Sequence, residues 1–186
     1  MNTSLILASG SPRRKELLAQ LGYSFSVVVT DVEECLKPGE SAQQYVARLS
    51  KDKAMAAAKL EPESVVIGSD TIVVCDDMVL EKPHDLAHAK QMLLMLSGRA
   101  HQVMTAVTVA TQEIQETVVV STDVWFKTLS EQEIEQYWQT GEPCDKAGSY
   151  GIQGIGGRFV TRIEGSYYAV VGLPLYETDQ LLQKFL

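Results

Sequence analysis

Apolar residues along the chain follow two patterns, short unbroken runs and helical spacing, and these patterns predict its secondary structure. Unbroken runs of strand length occupy Leu5–Ala8, Val27–Thr30, Val66–Gly68 and Ile72–Cys75. Such runs, bounded by Ser, Gly or Asp, are typical of strands buried on both faces. The last two runs are separated by Ser69-Asp70-Thr71, so we expect two strands with a polar break between them.

Helix starts are marked by capping residues. They are Ser11 with Pro12 at the first helical position, Ser41 with Gln44, Asp85, and Ser130 with Glu133. A Ser or Asp side chain at this position accepts a hydrogen bond from a backbone N–H of the first turn, and a Gln or Glu three residues later completes a capping box. Gly22 and Gly141 are typical helix ends. We therefore expect four capped helices and a closing helix over Leu175–Phe185.

Several strands are joined by hairpins rather than by helices. The turn signal Asp76-Asp77 would place residues whose numbers sum to about 153 opposite each other. Alternating runs over Gln102–Thr111 and Thr117–Lys127 indicate a second antiparallel pair, and further strands are expected near Arg158–Ile163 and Tyr168–Val171. Hairpins mixed with helices favour an α/β fold, with a mixed twisted sheet flanked by helices in one domain over residues 1–186.

The charge balance narrows the possible partners. Among 186 residues, 16 are Lys or Arg and 24 are Asp or Glu, which gives a formal net charge of −8. This excess of acid argues against polymeric nucleic acid and anionic membranes, since both require a basic face. It does not exclude a small anion, because charges are screened beyond about 8 Å at physiological salt. A few clustered basic residues could therefore bind a short polyphosphate.

Cysteine usage and hydropathy bear on the compartment. The three cysteines, Cys35, Cys75 and Cys144, are widely spaced, a pattern that favours buried free thiols over a disulfide framework. The first apolar run is far shorter than the core of a signal peptide, and no run approaches the ~20 apolar residues of a membrane span. We expect a cytoplasmic protein.

Candidate chemistry begins directly after the first predicted strand. Ser9-Gly10-Ser11-Pro12 leads into Arg13-Arg14 at the start of a helix. Backbone N–H groups at a helix start attract phosphate, and arginine binds phosphate bidentately. Cations in a first helical turn are slightly unfavourable unless an anion is bound there. The pattern indicates a phosphate site, although an ordinary cap followed by a solvated basic pair would give the same sequence.

Asp70 stands between two apolar β runs. In the predicted hairpin register Thr71 lies opposite Lys82, which would bring the Lys82 ammonium close to the Asp70 carboxylate. A carboxylate and an ammonium at one strand end form a candidate site. A structural ion pair, or a residue that caps a strand end, is the alternative.

Three further features stay open on the residues alone. Lys53 shares the apolar face of its helix with Val46 and Leu49, where a lysine either extends its ammonium to solvent or contributes to a site. Glu33 and Glu34 could ligate a hard divalent cation or be solvated. The glycine-rich segment over residues 148–157 lacks the dinucleotide and Walker patterns, but it could bring backbone N–H groups against a ligand.

Taken together, these motifs resemble the Maf family over nearly the whole chain. The matching segments, in order, are Leu7-Ala8-Ser9-Gly10-Ser11-Pro12-Arg13-Arg14, Gly68-Ser69-Asp70-Thr71, Leu80-Glu81-Lys82-Pro83, Lys146-Ala147-Gly148-Ser149-Tyr150-Gly151-Ile152-Gln153-Gly154 and Val171-Gly172-Leu173-Pro174. The resemblance implies a cytoplasmic nucleoside triphosphate pyrophosphatase that uses a divalent metal, Mg²⁺ or Mn²⁺. It also implies a fold similar to inosine-triphosphate pyrophosphatases, with two lobes around a substrate cleft, and a possible homodimer.

The resemblance also implies roles for single residues. Asp70 is expected to accept a proton and, with Glu33, to bind the metal, while the expected polar and cationic substrate ligands are Ser9, Arg13, Arg14, Lys53 and Lys82. Arg13, Thr71 and Gln153 resemble the type that acts on dTTP and UTP, and with them possibly CTP and modified pyrimidine nucleotides. The 7-methyl-GTP type tends to carry Trp, Gln and Glu at these places. The alternatives are a 7-methyl-GTP or inosine-type pyrophosphatase, and a non-catalytic nucleotide-binding regulator of septum formation.

An unperturbed aspartate, with a pKa near 3.9, is a weak base at neutral pH. A metal that acidifies the attacking water would compensate for this, and so would burial that raises the pKa of the aspartate. Because Lys82 is expected to lie nearby and to lower the pKa of Asp70, the sequence favours the metal.

Overall fold

Seven strands and six α-helices form the regular structure of residues 3–186, the part of the chain that the computed structural model describes. The strands are β1 (Leu5–Leu7), β2 (Ser26–Val27), β3 (Val65–Cys75), β4 (Met78–Leu80), β5 (Ala100–Ala110), β6 (Gln115–Phe126) and β7 (Val160–Glu164). The helices are α1 (Pro12–Gln20), α2 (Ala42–Leu60), α3 (Leu86–Leu96), α4 (Glu131–Gln139), α5 (Tyr167–Val171) and α6 (Leu175–Phe185). Short 3₁₀ helices cover Glu142–Asp145, Ala147–Ser149 and Ile155–Phe159.

The helix starts are confirmed as predicted. The Ser11 hydroxyl accepts from the backbone N–H of Arg14 at 3.3 Å, with Pro12 in the first turn of α1. Ser41 and Ser130 each form a complete capping box, with Gln44 and Glu133 respectively. These hydrogen bonds satisfy donors that have no partner within the helix, so the first turn of each helix is fixed by its own residues.

The sheet has the order β2-β1-β3-β5-β6-β7, with β4 paired to β3 outside this path. β1 runs parallel to both β2 and β3, whereas β4 is antiparallel to β3 and β7 is antiparallel to β6. In the β3–β4 hairpin Val73 lies opposite Leu80, the predicted register. This mixed sheet with its helices confirms the expected α/β class.

Two sequence predictions on strands are wrong. β3 continues without a break through Ser69 and Asp70, because polar groups in it find partners across the sheet: the buried Ser69 hydroxyl donates to the carbonyl of Ala106 at 2.9 Å. Residues 167–171 form the helix α5 rather than a strand. The Ser166 hydroxyl accepts from the backbone N–H of Ala169 at 3.1 Å, an N-terminal cap that the apolar run of β-branched and aromatic residues does not reveal.

Chain contacts divide the molecule into two compact units. The first unit comprises Met1–Asp70, Thr105–Val120 and Gly172–Leu186, and the second comprises Thr71–Met104 and Ser121–Val171. A core cluster of the first unit contains small and branched residues of β1, β3 and α2. The core of the second unit is built on aromatic and long aliphatic side chains, among them Phe126, Tyr137 and Phe159.

Close backbone contact sets the distance between α2 and β3 in the first unit. A Cβ on Gly68 would overlap the carbonyl oxygen of Ser50 and lie 2.6 Å from the backbone nitrogen of Ala54. The helix therefore rests directly on the strand, where only glycine fits. The residue preceding Ala54 is Lys53, so this contact positions a lysine next to the strand that carries Asp70.

The cysteines are free, but only Cys75 is buried, whereas Cys35 and Cys144 are exposed. The prediction of three buried thiols is thus wrong for two of them, which lie outside the strands and the long helices. Within residues 3–186, none of the helices has both the length and the apolar character that a membrane span requires.

Candidate active site

Asp70 lies inside β3 in the first unit and is 7% exposed. Its carboxylate accepts a hydrogen bond from the Lys53 ammonium, with 2.7 Å between Oδ1 and Nζ. Lys53 reaches this position from the face of α2 that packs on the strand at Gly68. The ammonium on Asp70 in the first unit is therefore that of Lys53, and its side chain is held in the site rather than extended to solvent.

A second carboxylate shares this ammonium. Glu34 Oε1 lies 2.9 Å from Lys53 Nζ, so the ammonium joins two carboxylates. Glu34 belongs to residues 28–41, which contain no regular helix or strand. From the sequence alone Glu34 could not be separated from Glu33, because no periodicity in this segment shows which of the two carboxylates contacts a lysine.

Arg14 completes a group of four charged residues in the first unit. Its Nε donates to the carbonyl of Gly172 at 2.8 Å, which fixes the guanidinium at the start of α1. Burial lowers the pKa of Arg14 and Arg13 lowers it further, whereas the negative charges of Asp70 and Glu34 oppose this. The acidic pair thus compensates in part for the burial of a guanidinium, as a bound phosphate would.

Burial also dominates the ionisation of Asp70. It raises the pKa of Asp70, and the charges of Lys53 and Arg14 only partly offset this, while Glu34 adds to the increase. The expectation that Lys82 would lower the pKa of Asp70 is therefore wrong, because burial raises this pKa. Of the two ways to make an aspartate a useful base, the structure provides burial directly.

The start of α1 holds the remaining predicted ligands of the first unit. The Ser9 hydroxyl accepts from the backbone N–H of Ser11 at 3.1 Å, so it shapes the turn between β1 and α1. Arg13 is partly buried beside Arg14. Their predicted contacts with substrate stay predictions.

Three predicted ligands belong to the second unit. Thr71 follows Asp70 directly along β3, and Lys82 is exposed after β4. The hairpin pairing ends with Val73 opposite Leu80, so Thr71 and Lys82 lie beyond the paired residues, and their predicted juxtaposition stays a prediction. Gln153 is exposed in the glycine-rich segment.

The glycine-rich segment uses several of its backbone N–H groups internally. Those of Ile155 and Gly156 donate to the Glu142 carboxylate, at 2.8 Å and 2.9 Å. The N–H of Gly151 donates to the Tyr137 hydroxyl at 3.2 Å. The expectation that bare glycine brings backbone donors against a ligand is therefore wrong for these three groups, because their acceptors are side chains of the same unit.

The donor set of the first unit fits a hard divalent cation. Asp70 and Glu34 present oxygen ligands beside one ammonium, and Mg²⁺ is commonly held by one or two carboxylates together with substrate phosphates and water. Within residues 3–186, no cluster of three or more His, Cys, Asp or Glu side chains is arranged to hold a metal by itself. Glu33 is exposed, and its predicted role stays a prediction.

Residues 4–185 match the family model of the Maf-like proteins. The chain is 72% identical over 184 residues to the dTTP/UTP pyrophosphatase of Vibrio cholerae, with 98% of each sequence covered. It is 59% identical over 185 residues to the dTTP/UTP pyrophosphatase of Shigella sonnei, with 98% of this chain and 93% of the relative covered. A solved structure, the nucleoside-triphosphatase / dITP/XTP pyrophosphatase of Mycobacterium abscessus, aligns with a TM-score of 0.47 at 16% identity and covers 98% of this chain and 95% of its own. Because the family model covers residues 4–185 and the sequence relatives are up to 72% identical over nearly the full chain, the chain belongs to the family of Maf-like proteins.

Proposed function

We propose that this chain is a nucleoside triphosphate pyrophosphatase that hydrolyses dTTP and UTP to the nucleoside monophosphate and pyrophosphate. The observation that carries the proposal is the buried Asp70, held by Lys53 beside Arg14 and Glu34. This arrangement combines a base of raised pKa with cations suited to phosphate. The names of its relatives, dTTP/UTP pyrophosphatases, supply the two substrates and the release of pyrophosphate.

In the proposed reaction, Asp70 accepts a proton from a water molecule as the water oxygen bonds to the α-phosphorus. The bond from the α-phosphorus to the bridging oxygen of the β-phosphate breaks, and its electron pair leaves with pyrophosphate. Because phosphoryl transfer depends mainly on positioning and on neutralising charge, the role of the surrounding cations is as important as that of the base.

Lys53 has the right bonding capacity for such a role. An ammonium carries three N–H donors, and the structure engages Lys53 with two acceptors, on Asp70 and Glu34. The third donor would hold a phosphate oxygen of the substrate. Arg14, fixed through its Nε by Gly172, would contribute a second positive charge beside the same phosphates.

Asp70 together with Glu34, or Glu33 as the family resemblance implies, would hold Mg²⁺ or Mn²⁺ against the substrate phosphates. A bound divalent ion of this kind supplies charge neutralisation and lowers the pKa of coordinated water. With Asp70 already raised in pKa by burial, the protein provides a base at the same position.

Base selection is proposed to rest on Arg13, Thr71 and Gln153. The Gln153 amide offers both a donor and an acceptor, and can pair with the edge of a pyrimidine. CTP and modified pyrimidine nucleotides are further proposed substrates. We also propose that the enzyme acts in the cytoplasm and that it is a homodimer. Sedimentation of the purified protein would test the dimer.

Pyrophosphate release from dTTP, UTP, CTP, ITP and 7-methyl-GTP, with Mg²⁺ or Mn²⁺, tests the proposal. We expect the highest kcat/KM with dTTP and UTP. Asp70→Asn should lose turnover but retain nucleotide binding, whereas Asp52→Asn, which alters a carboxylate 45% exposed on the same helix as Lys53, should retain both. Faster turnover of ITP or 7-methyl-GTP would favour those types, and no release with any metal would favour a non-catalytic regulator of septum formation.

A further inference from the structure

The glycine-rich segment of the second unit folds around a single carboxylate. Glu142 Oε1 accepts from the N–H of Ile155 at 2.8 Å, and its Oε2 accepts from the N–H of Gly156 at 2.9 Å. Oε2 also accepts from the Tyr137 hydroxyl. The two carboxylate oxygens of Glu142 thus bind the backbone at Ile155 and Gly156, the two residues that follow Gln153 and Gly154.

The other side of the segment is fixed by Tyr137. Its hydroxyl accepts from the N–H of Gly151 at 3.2 Å, two residues before Gln153. The Tyr137 ring is 1% exposed and meets the Phe159 ring edge-on, with 5.0 Å between ring centroids. This packing holds the hydroxyl in place, so the hydrogen bond to Gly151 has a rigid base on α4.

The glycines are matched to these two side chains. A Cβ on Gly154 would overlap Glu142 Oε1, and one on Gly156 would lie 2.6 Å from the Tyr137 hydroxyl oxygen. The absence of side chains at these positions therefore lets the carboxylate and the hydroxyl approach the backbone. Glycine at positions 154 and 156 therefore allows the segment to pack directly against the Glu142 and Tyr137 side chains.

Glu142 is suited to act as a permanent anchor. Burial raises the pKa of Glu142, but the hydrogen bonds from Tyr137, Gly156 and Ile155, together with the charge of Lys146, outweigh burial and bring the pKa below its usual value. The group is therefore an ionised acceptor at neutral pH, and hydrogen bonds to an ionised acceptor are the stronger kind.

We propose that Glu142, supported by Tyr137, is a positioning residue that sets the exposed Gln153 side chain for recognition of the nucleotide base. Gln153 lies between the Gly151 contact and the Ile155 and Gly156 contacts, so both sides of its backbone are held. This inference rests on the proposed function, in which Gln153 reads a pyrimidine. It adds Glu142, a residue that does not contact the substrate but fixes the position of Gln153, the side chain that recognises the base.

The test compares UTP with CTP, which differ only at the base edge, by their kcat/KM ratio. Glu142→Gln replaces one of the two anchoring oxygens by an NH₂ group, which cannot accept a hydrogen bond. We expect it to lower the UTP preference by about tenfold, the effect of losing one ordinary hydrogen bond, mainly through a higher KM for UTP. Tyr137→Phe, which keeps the packed ring, should act in the same direction.

Two further variants separate positioning from general destabilisation. Glu135→Gln removes a carboxylate of α4, the helix that carries Tyr137; this carboxylate is paired with Lys90 at 2.5 Å, and its loss should leave the ratio unchanged. In a Gln153→Ala background, Glu142→Gln should have no further effect on the ratio, since the residue it positions is gone. Thermal unfolding of each variant shows whether it is folded under the assay conditions.

Equal loss of kcat for UTP and CTP in Glu142→Gln, with an unchanged ratio, would overturn the inference and leave the proposed function intact. An unchanged ratio of kcat/KM for UTP and CTP in Gln153→Ala would also overturn it, because Gln153 would then not recognise the base. Absence of pyrophosphate release by the wild-type protein would overturn the proposed function, and the inference with it.

Discussion

His101 provides the sharpest prediction on stability. It lies in β5 within the second unit, is 0% exposed, and has its Nε2 2.6 Å from the Tyr150 hydroxyl oxygen. Its ring meets Phe126 edge-on at 5.0 Å between centroids, and among residues 3–186 its Nδ1 has no hydrogen-bond partner. Burial, assisted by the positive charge of Arg99, lowers the pKa of His101 from 6.5 to about 4.

The sign of the effect follows from where the proton binds. Below pH 6.5 the unfolded chain takes up a proton on this imidazole, while the folded protein does not until about pH 4. Stability is therefore fully present above pH 6.5 and is lost as the pH falls through this window. At about 1.4 kcal/mol per pH unit, the loss attributable to His101 amounts to about 3 kcal/mol.

Urea unfolding at a series of pH values between about 7 and 4 measures this loss. The free energy of unfolding of His101→Gln should fall less steeply with acidification than that of the wild type, by about 3 kcal/mol over the full window. His84→Gln, which changes an exposed imidazole, should keep the steep wild-type dependence.

Parallel curves for the wild type and His101→Gln would refute the reasoning. If His101→Gln does not fold, NMR titration of the wild-type ring decides the matter. A His101 ring signal that titrates near pH 6.5 would contradict a buried neutral imidazole.

Three further predictions concern the first unit. Gly68→Ala should lower the free energy of unfolding by about 2 kcal/mol or more, since the added methyl meets helix backbone, whereas Gly10→Ala, whose nearest neighbour would be a Val29 methyl at 3.6 Å, should change it little; urea unfolding compares the two. Lys53→Met should lower kcat/KM for dTTP by about a hundredfold or more through loss of a preorganised cation, while Lys51→Met, exposed on the same helix, should not; equal activity of both variants in the pyrophosphate assay would exclude Lys53 from the site. Because burial raises the pKa of Asp70, the acidic limb of the kcat/KM profile should lie above the ordinary aspartate value of about 3.9, and a limb at or below that value would contradict the role of Asp70 as a buried base.

The parts of the fold that depend on neighbouring residues were predictable from the sequence. Ser41 and Ser130 form their capping boxes with residues three positions away, and Asp76 and Asp77 form a tight turn with positive φ of 50° and 63°. The continuity of β3 was not predictable, because the partner of Ser69 is Ala106, far away in the sequence. A polar residue in an apolar run is interpreted as the end of a strand unless its long-range hydrogen-bond acceptor is known.

The residues of the candidate site divide in the same way, into those marked by local sequence patterns and those placed by distant contacts. Asp70 and Arg14 stand in recognisable local patterns, next to a strand run and at a helix start. The contact of Lys53 with Asp70 depends on how α2 packs on β3, which periodicity limits to one helix face but does not fix. Glu34 lies in a segment without regular structure, so only the three-dimensional structure distinguishes it from Glu33.

The contact between α2 and β3 at Gly68 has a consequence for how the sequence can vary. Because the helix backbone meets the strand backbone with no side chain between them, the separation of Lys53 and Asp70 is set by main-chain dimensions. Substitutions among the surrounding core residues, such as Val66 or Ala58, can therefore change packing while the spacing of Lys53 and Asp70 is retained. Mutational tolerance in this core should be broad, and a single position, Gly68, should bear most of the constraint.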